Sequence, residues 1–271
     1  MGYRCFEVDV SDRVAHLRLS RPDELNSMVP EFWRELPEIV QSISDSGEAR
    51  ALVLSSTGKH FSAGMDLSVF AGGLGISADG EAARRSANLR TMVLRLQETF
   101  TVFEKARMPV LVAVQGGCIG GAVDLACAAD MRYASRDAFF VVQETNIGMV
   151  ADLGTLQRLP KLIGDGLARE LVYTGRRLPA QRAYEIGLVN QVFDDADSLV
   201  DGVLEVAREI AAKSPLGLTR MKHLANDALE TPAPVALRRE IEVSALHVHS
   251  TDFREGLDAF NSKRTPKFTG H

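Results

Sequence analysis

The sequence predicts an α/β core followed by an all-helical C-terminal portion of ~70 residues. Three observations carry that class. The runs Ala51-Leu-Val-Leu-Ser55 and Val110-Leu-Val-Ala-Val114 are apolar without alternation, as strands covered on both faces are. Segments with helical spacing separate such runs. Beyond residue 195 only the helical spacing remains. A strand-strand-helix rhythm recurs through the core, too loose to count as a sequence repeat.

The elements follow in chain order. Residues 5–10 and 14–19 alternate around a Ser-Asp-Arg turn, which predicts an antiparallel pair. Asn26-Ser27 offers a cap for a helix carrying Phe32, Leu36, Ile39, Val40 and Ile43 on one face. Pro37 inside that pattern lacks an N–H and should bend or weaken the helix. The strand over 51–55 comes next, and then a glycine-rich loop over 71–82. A long helix follows, with Leu89, Met92, Val93, Leu96, Phe100 and Phe103 on one face, and Pro109 stops it. The strand over 110–114 leads into a glycine cluster and a helix starting near Ala122. Residues 131–134, 138–142 and 188–192 read as further strands, the third of them the last. Val200, Val203, Leu204, Val206, Ala207 and Ile210 then form one stripe. Ser214-Pro215 opens another helix, and two more are expected over about 232–246 and 250–261. The expected division is 1–197 for the core and 198–271 for the helical region.

Composition narrows the function. The chain has 271 residues, 45% hydrophobic and 25% charged, with net charge −5 and no long basic run, so nucleic-acid binding has no electrostatic support. Cys5, Cys118 and Cys127 are too few and too scattered for a zinc site or a disulfide framework, and read as free thiols. Apolar runs fall short of the ~20 residues of a membrane span. The first residues enter a strand pattern at once, and the last read Phe-Thr-Gly-His rather than Ser-Lys-Leu. A cytoplasmic protein is the expectation.

Two glycine turns suggest a binding site. Gly116-Gly-Cys-Ile-Gly-Gly121 stands between a strand and a helix, where unpaired N–H groups face outward. It fits neither Gly-x-Gly-x-x-Gly nor Gly-Lys-Ser/Thr, so a phosphate cradle is disfavoured. An oxyanion hole and plain strand–helix packing stay open. His60-Phe-Ser-Ala-Gly-Met-Asp66 supplies a second glycine turn, and strong polarisation of a carbonyl takes two donors. The N–H groups of Met65 and Gly121 are the candidates. Ser62 lacks a nucleophile elbow, which argues against a hydrolase, and His60 reads as a structural histidine.

Three acids, Asp124, Glu144 and Asp152, sit in apolar surroundings, where carboxyls become proton carriers near neutral pH. Each has a plainer reading. Asp124 and Asp152 suit helix caps, and Glu144 suits an ion pair with Arg132 or Arg136.

Together these residues resemble the enoyl-CoA hydratase/isomerase (crotonase) superfamily. The likeness rests on Arg21-Pro-Asp-Glu-Leu-Asn-Ser-Met28, Phe61-Ser-Ala-Gly-Met-Asp-Leu67, Gly116-Gly-Cys-Ile-Gly-Gly121, Ala129-Asp-Met-Arg-Tyr-Ala134 and Lys263-Arg-Thr-Pro-Lys-Phe268. The resemblance implies a crotonase-like ββα spiral core with a C-terminal helical trimerisation region. It implies an acyl-CoA thioester substrate, no cofactor and no metal, and a homo-oligomer, trimer or dimer of trimers. It assigns the oxyanion hole to Met65 and Gly121, and a substrate channel to Ala63, Gly64, Met65, Asp66 and Leu67. Residues 22–28, Phe260 and Lys263 are further candidates for touching CoA, and the 71–82 loop for shaping the acyl tunnel.

The acids point within the family. Ordinary hydratases carry Glu at both the 124 and 144 positions and glycine at 152. Asp124, Glu144, Asp152 and the run Ala151-Asp-Leu-Gly-Thr-Leu-Gln-Arg-Leu-Pro160 are similar instead to the Δ3,5-Δ2,4-dienoyl-CoA isomerase branch. So are Thr99-Phe-Thr-Val-Phe-Glu-Lys105 and Asp137-Ala-Phe-Phe140. Asn146 departs, standing where those relatives carry an acid. The implied chemistry is dienolate formation, with Glu144 removing the C2 proton, Asp152 returning one at C6, and Asp124 holding the network. Enoyl-CoA hydration and Δ3,Δ2-isomerisation are rivals. A non-catalytic acyl-CoA- or RNA-binding relative is the alternative of a different class.

Overall fold

The computed structural model describes residues 2–66 and 82–271. Leu67 and the loop expected over 71–82 lie outside the described residues, except Ala82, which begins a helix.

Strands β1 (Phe6–Ser11) and β2 (Val14–Leu19) form the expected antiparallel pair. Asp12 and Arg13 turn the corner with φ of 50° and 63°. Strands β3 (Ala51–Ser56), β4 (Val110–Val114), β6 (Met131–Ser135) and β9 (Gln191–Phe193) then add in parallel, giving the order β1-β2-β3-β4-β6-β9. A smaller sheet has the order β5-β7-β8, from Gly117–Ile119, Phe139–Val141 and Leu178–Pro179. Ser62 joins its edge by a parallel bridge to Cys118. The chain thus alternates between the sheets: β3 then Ser62, β4 then β5, β6 then β7. A helix closes each turn, which is the crotonase-like ββα spiral that the resemblance implied.

Helix α1 (Pro30–Ser46) continues past Pro37 without interruption. A proline at this position leaves the carbonyl four residues earlier, that of Trp33, without its helical donor. Thr99 offers one, its Oγ1 lying 3.3 Å from the Trp33 carbonyl and 3.2 Å from the Arg95 carbonyl of its own helix, which share its one proton. The buried face of Phe32, Leu36, Ile39 and Val40 outweighs what remains of the cost. The Asn26-Ser27 cap is not formed. Val29 is the N-cap, without a side-chain bond, and Asn26 serves the site described below.

Helix α2 (Ala82–Lys105) buries only its C-terminal end, through Thr99, Phe100, Val102 and Phe103. Leu89, expected on the buried face, is exposed. Helices α3 (Gly121–Ala128), α4 (Thr155–Ile163), α5 (Asp165–Thr174) and α6 (Ala180–Glu185) follow. The last strand begins later than expected, because Leu188 and Val189 are buried in the turn before β9.

Four helices end the chain: α7 (Ala196–Ala211), α8 (Pro215–Ala228), α9 (Ala233–His247) and α10 (Thr251–Asn261). Leu199, Val203, Ala207 and Ala211 of α7 pack against Val53, Leu111 and Tyr133 of the large sheet. Lys222 anchors α8, donating to the Met108 carbonyl and pairing with Asp130, both at 2.9 Å. The three cysteines are free and buried. Among the described residues no helix is long and apolar enough to cross a membrane.

Candidate active site

The two glycine turns lie against one another. Ser62 N–H donates to the Gly117 carbonyl and Ile119 N–H to the Ser62 carbonyl, each at 3.1 Å. Gly64 (φ +82°) admits the closest approach. A Cβ there would stand 2.4 Å from the Ile119 carbonyl oxygen and 3.2 Å from the Gly121 nitrogen. A Cβ on Gly121 would lie 3.8 Å from the Met65 nitrogen. The Met65 and Gly121 amides therefore border one small space. Gly121 opens α3, where an N–H has no acceptor within the helix.

Polar side chains hold this geometry. Ser62 is fully buried; its Oγ donates to the Asn26 carbonyl at 2.8 Å and accepts from Gly64 N–H at 3.0 Å. Asn26 (φ +50°) accepts from Arg21 N–H and donates to the Thr57 and His60 carbonyls. The His60 Nδ1 accepts from Gly117 N–H at 2.9 Å, which gives this histidine the structural place expected of it. Ser27 Oγ donates to Asp66 at 2.8 Å.

A cavity of about 810 Å³ opens over the two amides. Ala63, Met65, Asp66 and Gly121 line it, as do Glu144 and Asp152. Its walls are mostly apolar, with Ile119, Phe139, Val141 and Leu153 among them. Arg177 is the one cation lining it among the described residues, its guanidinium 4.4 Å above the Phe139 ring. Asp124 is buried behind the wall. Of the acids and amides singled out in the sequence, the structure thus brings four to the cavity and sets the fifth, Asp124, behind it. Leu67 lies outside the described residues.

Each acid reaches its place differently. Glu144 begins a short 3-10 turn that Val142 and Gln143 join to β7. Thr145 Oγ1 donates to the Val172 carbonyl and Asn146 Nδ2 to the Gly175 carbonyl, pinning that turn to α5 and the residue after it. Gly120 leaves room for the carboxylate: a Cβ there would sit 3.4 Å from Glu144 Oε1. Asp124, in the first turn of α3, accepts from Thr155 N–H at 2.6 Å. It therefore caps a helix, but α4 rather than its own. Asp152 caps nothing; Gly154 is the N-cap of α4, without a side-chain bond. Nor does Glu144 form the ion pair considered for it. Arg132 donates to the carbonyls of Leu188, Ala126 and Ala129, and Arg136 pairs with Asp194.

The electrostatics link the three. Burial, and then the charge of Glu144, push Asp124 up to about 7, against the pull of its Thr155 bond. Burial, and then the charge of Asp152, raise Glu144, while hydrogen bonds from backbone amides oppose. Burial raises Asp152 too, although it is the most exposed of the three. Carboxyls coupled in this way lose protons as a set rather than singly. Among the described residues no cluster of His, Cys, Asp and Glu could hold a metal ion.

Sequence reasoning missed Asn26, Ser62 and Thr155 as builders of the site. All three stand in runs quoted above, but their partners, such as Thr57 and His60 for Asn26, are fixed by the fold.

Comparison with known proteins agrees with the fold. The Enoyl-CoA hydratase/isomerase family profile matches residues 9–271. The mitochondrial Delta(3,5)-Delta(2,4)-dienoyl-CoA isomerase of Mus musculus is 44% identical over 82% of this chain, the match covering 68% of that protein. For the Homo sapiens enzyme the identity is 46% over 77% of this chain, and the match covers 64% of that protein, so the chain spans about two thirds of these mammalian relatives. The peroxisomal enzyme of Arabidopsis thaliana is 36% identical over 98% of both chains. Among solved structures, a putative enoyl-CoA hydratase from Streptomyces coelicolor A3(2) superposes with TM-score 0.92 at 28% identity, over 100% of this chain and 96% of that one.

These relatives correct one expectation. The dienoyl-CoA isomerases that the chain resembles are named mitochondrial or peroxisomal, not cytoplasmic. Charge, thiols and core composition suit each of those compartments equally, so they carried no information about the address.

Proposed function

We propose, because the chain belongs to the enoyl-CoA hydratase/isomerase family, that it is a dienoyl-CoA isomerase, converting 3,5-dienoyl-CoA to 2,4-dienoyl-CoA in the breakdown of unsaturated fatty acids. The observation that carries the reading is that Glu144 and Asp152 line the same cavity as the Met65 and Gly121 amides. A shift of two double bonds needs a proton removed at one end and another delivered four carbons away. Hydration needs no third acid.

The thioester oxygen accepts hydrogen bonds from Met65 and Gly121 N–H. Glu144, as carboxylate, takes the C2 proton. The released electron pair spreads over the conjugated chain, and its charge rests mainly on that oxygen. An oxyanion-hole donor is typically worth on the order of 3 kcal/mol of barrier. Asp152, protonated, delivers its proton at C6, leaving double bonds at C2 and C4. One proton leaves and one enters, so the substrate formula is unchanged and no cofactor is required. Asp124 stands behind Glu144 and keeps the protonation states of the set apart. Ala63, Gly64 and Asp66 border the thioester and its pantetheine arm; Leu67, expected beside them, lies outside the described residues.

The test is direct. Incubated with 3,5-dienoyl-CoA, the enzyme is expected to generate the ultraviolet absorbance of a conjugated 2,4-dienoyl thioester. Asp152→Asn should lose that product while its circular dichroism stays native. Hydration products in place of the dienoyl signal would overturn the reading, and so would an Asp152→Asn enzyme as fast as the parent.

The protein assembles with copies of itself as a trimer or dimer of trimers, through the helical region after residue 198. What supports this is the apolar surface of α9 and α10, where Ile241, Leu246 and Phe260 are 69%, 68% and 83% exposed. Light scattering is expected to return a multiple of three chains, and the mass of a single chain would refute it.

A further inference from the structure

Asp152 sits on a stretch without regular structure between the 3-10 turn at Glu144–Ile147 and helix α4. Its placement depends on what holds that backbone. Two successive carbonyls there are gripped from α2 and α4. Gln97 Nε2 donates to the Asp152 carbonyl at 2.6 Å. Arg158 Nη1 donates to the Leu153 carbonyl at 3.2 Å. Arg158 is itself fixed on α2: its Nε pairs with Glu104 at 2.6 Å and its Nη2 donates to Thr101 Oγ1 at 3.2 Å. Gln97, Thr101 and Glu104 recur at spacings of four and three, one stripe of a helix.

Gly154 completes the clamp. Its φ is +122°, and a Cβ there would come within 1.8 Å of Arg158 Nη1. Only glycine lets the Nη1 end of the guanidinium come this close to the backbone. Neither Gln97 nor Arg158 lines the cavity that holds Glu144. Both line a second cavity of about 730 Å³ on the far side of the loop, and Leu153 is the partition common to the two.

We propose that Gln97 and Arg158 are positioning residues that set Asp152 over the far end of the acyl chain, by clamping the Asp152 and Leu153 carbonyls to α2. The inference rests on the reading of Asp152 as the C6 proton donor. Its consequence is selective. Glu144 is held by other contacts, at Thr145 and Asn146, so removal and return of the C2 proton do not need the clamp. Delivery at C6 does.

The experiment follows both events in D2O with 3,5-dienoyl-CoA, measuring deuterium exchange at C2 and formation of 2,4-dienoyl product. A misplacement of the order of 1 Å lowers a proton-transfer step by up to ~10²-fold. Gln97→Ala and Arg158→Gln are expected to form product roughly tenfold or more slowly while C2 exchange persists, so the exchange-to-product ratio rises. Gln97→Lys, which restores a donor, should bring the ratio back toward the parent value; Gln97→Glu, of the same shape without the donor, should not. A ratio unchanged in Gln97→Ala overturns the clamp, whether both rates hold or both fall together. Asp152→Asn in the same assay separates the two readings. If it raises the ratio and Gln97→Ala does not, the clamp alone fails. If it leaves the ratio unchanged, the role of Asp152 fails and the clamp with it.

Discussion

Glu144→Gln is expected to lower the rate of dienoyl-CoA isomerisation by about 10²–10⁴-fold, the usual worth of a positioned base. Glutamine keeps the shape and the hydrogen-bonding reach of Glu144 but cannot accept the proton. Deuterium exchange at C2 should therefore vanish with product formation. That separates this variant from Asp152→Asn, in which exchange is expected to survive. Substrate affinity should change little, since the thioester contacts proposed for Met65 and Gly121 are backbone groups. A second readout tests the coupling. Asp124 is held at about 7 first by burial and then by the charge of Glu144. Removing that charge should lower the Asp124 value, because a neighbouring carboxylate disfavours ionisation. Carboxyl-carbon NMR of labelled aspartate would follow it. C2 exchange at the parent rate in Glu144→Gln would remove this residue from the chemistry. An unmoved Asp124 would remove the coupling.

Gly64→Ala should be almost as damaging, although no side-chain function is lost. The new Cβ would stand 2.4 Å from the Ile119 carbonyl oxygen and 3.2 Å from the Gly121 nitrogen. Both are backbone atoms, so relief requires one glycine turn to move away from the other. The residue also adopts φ +82°, which alanine resists. Separating the turns would displace the Met65 amide from the Gly121 amide. The expected loss is roughly 10²–10³-fold in kcat, that of one oxyanion donor. Binding of a saturated acyl-CoA, which develops no enolate charge, should weaken far less, and titration calorimetry measures it. Wild-type turnover in a folded Gly64→Ala enzyme would locate the oxyanion contact elsewhere.

Much of the fold was legible because its signals are local. Apolar runs of five or six residues marked β3 and β4, and glycine clusters marked the turns around Met65 and Gly121. Helical periodicity gave the last four helices to within a few residues. Two of the short elements were silent. β5 has three residues and β8 two, too few to show any period, whereas β7 fell within the strand read over 138–142. At Pro37, where a bend or a weaker helix was expected, the helix continues, and the carbonyl left without its donor lies beside Thr99, more than sixty residues away.

The candidate site divides in the same way. The sequence by itself determined the family and marked the candidates: two glycine turns and three acids. Such features depend on residue type and on neighbours a few positions away. Only the tertiary structure decided how they are held. Asp124 meets Thr155 across 31 positions, and Gln97 meets the Asp152 carbonyl across 55. A hydrogen bond to a backbone carbonyl selects no residue type on the accepting side, so it leaves no trace in a single sequence. It exists once the chain has folded and packed α2 beside the loop.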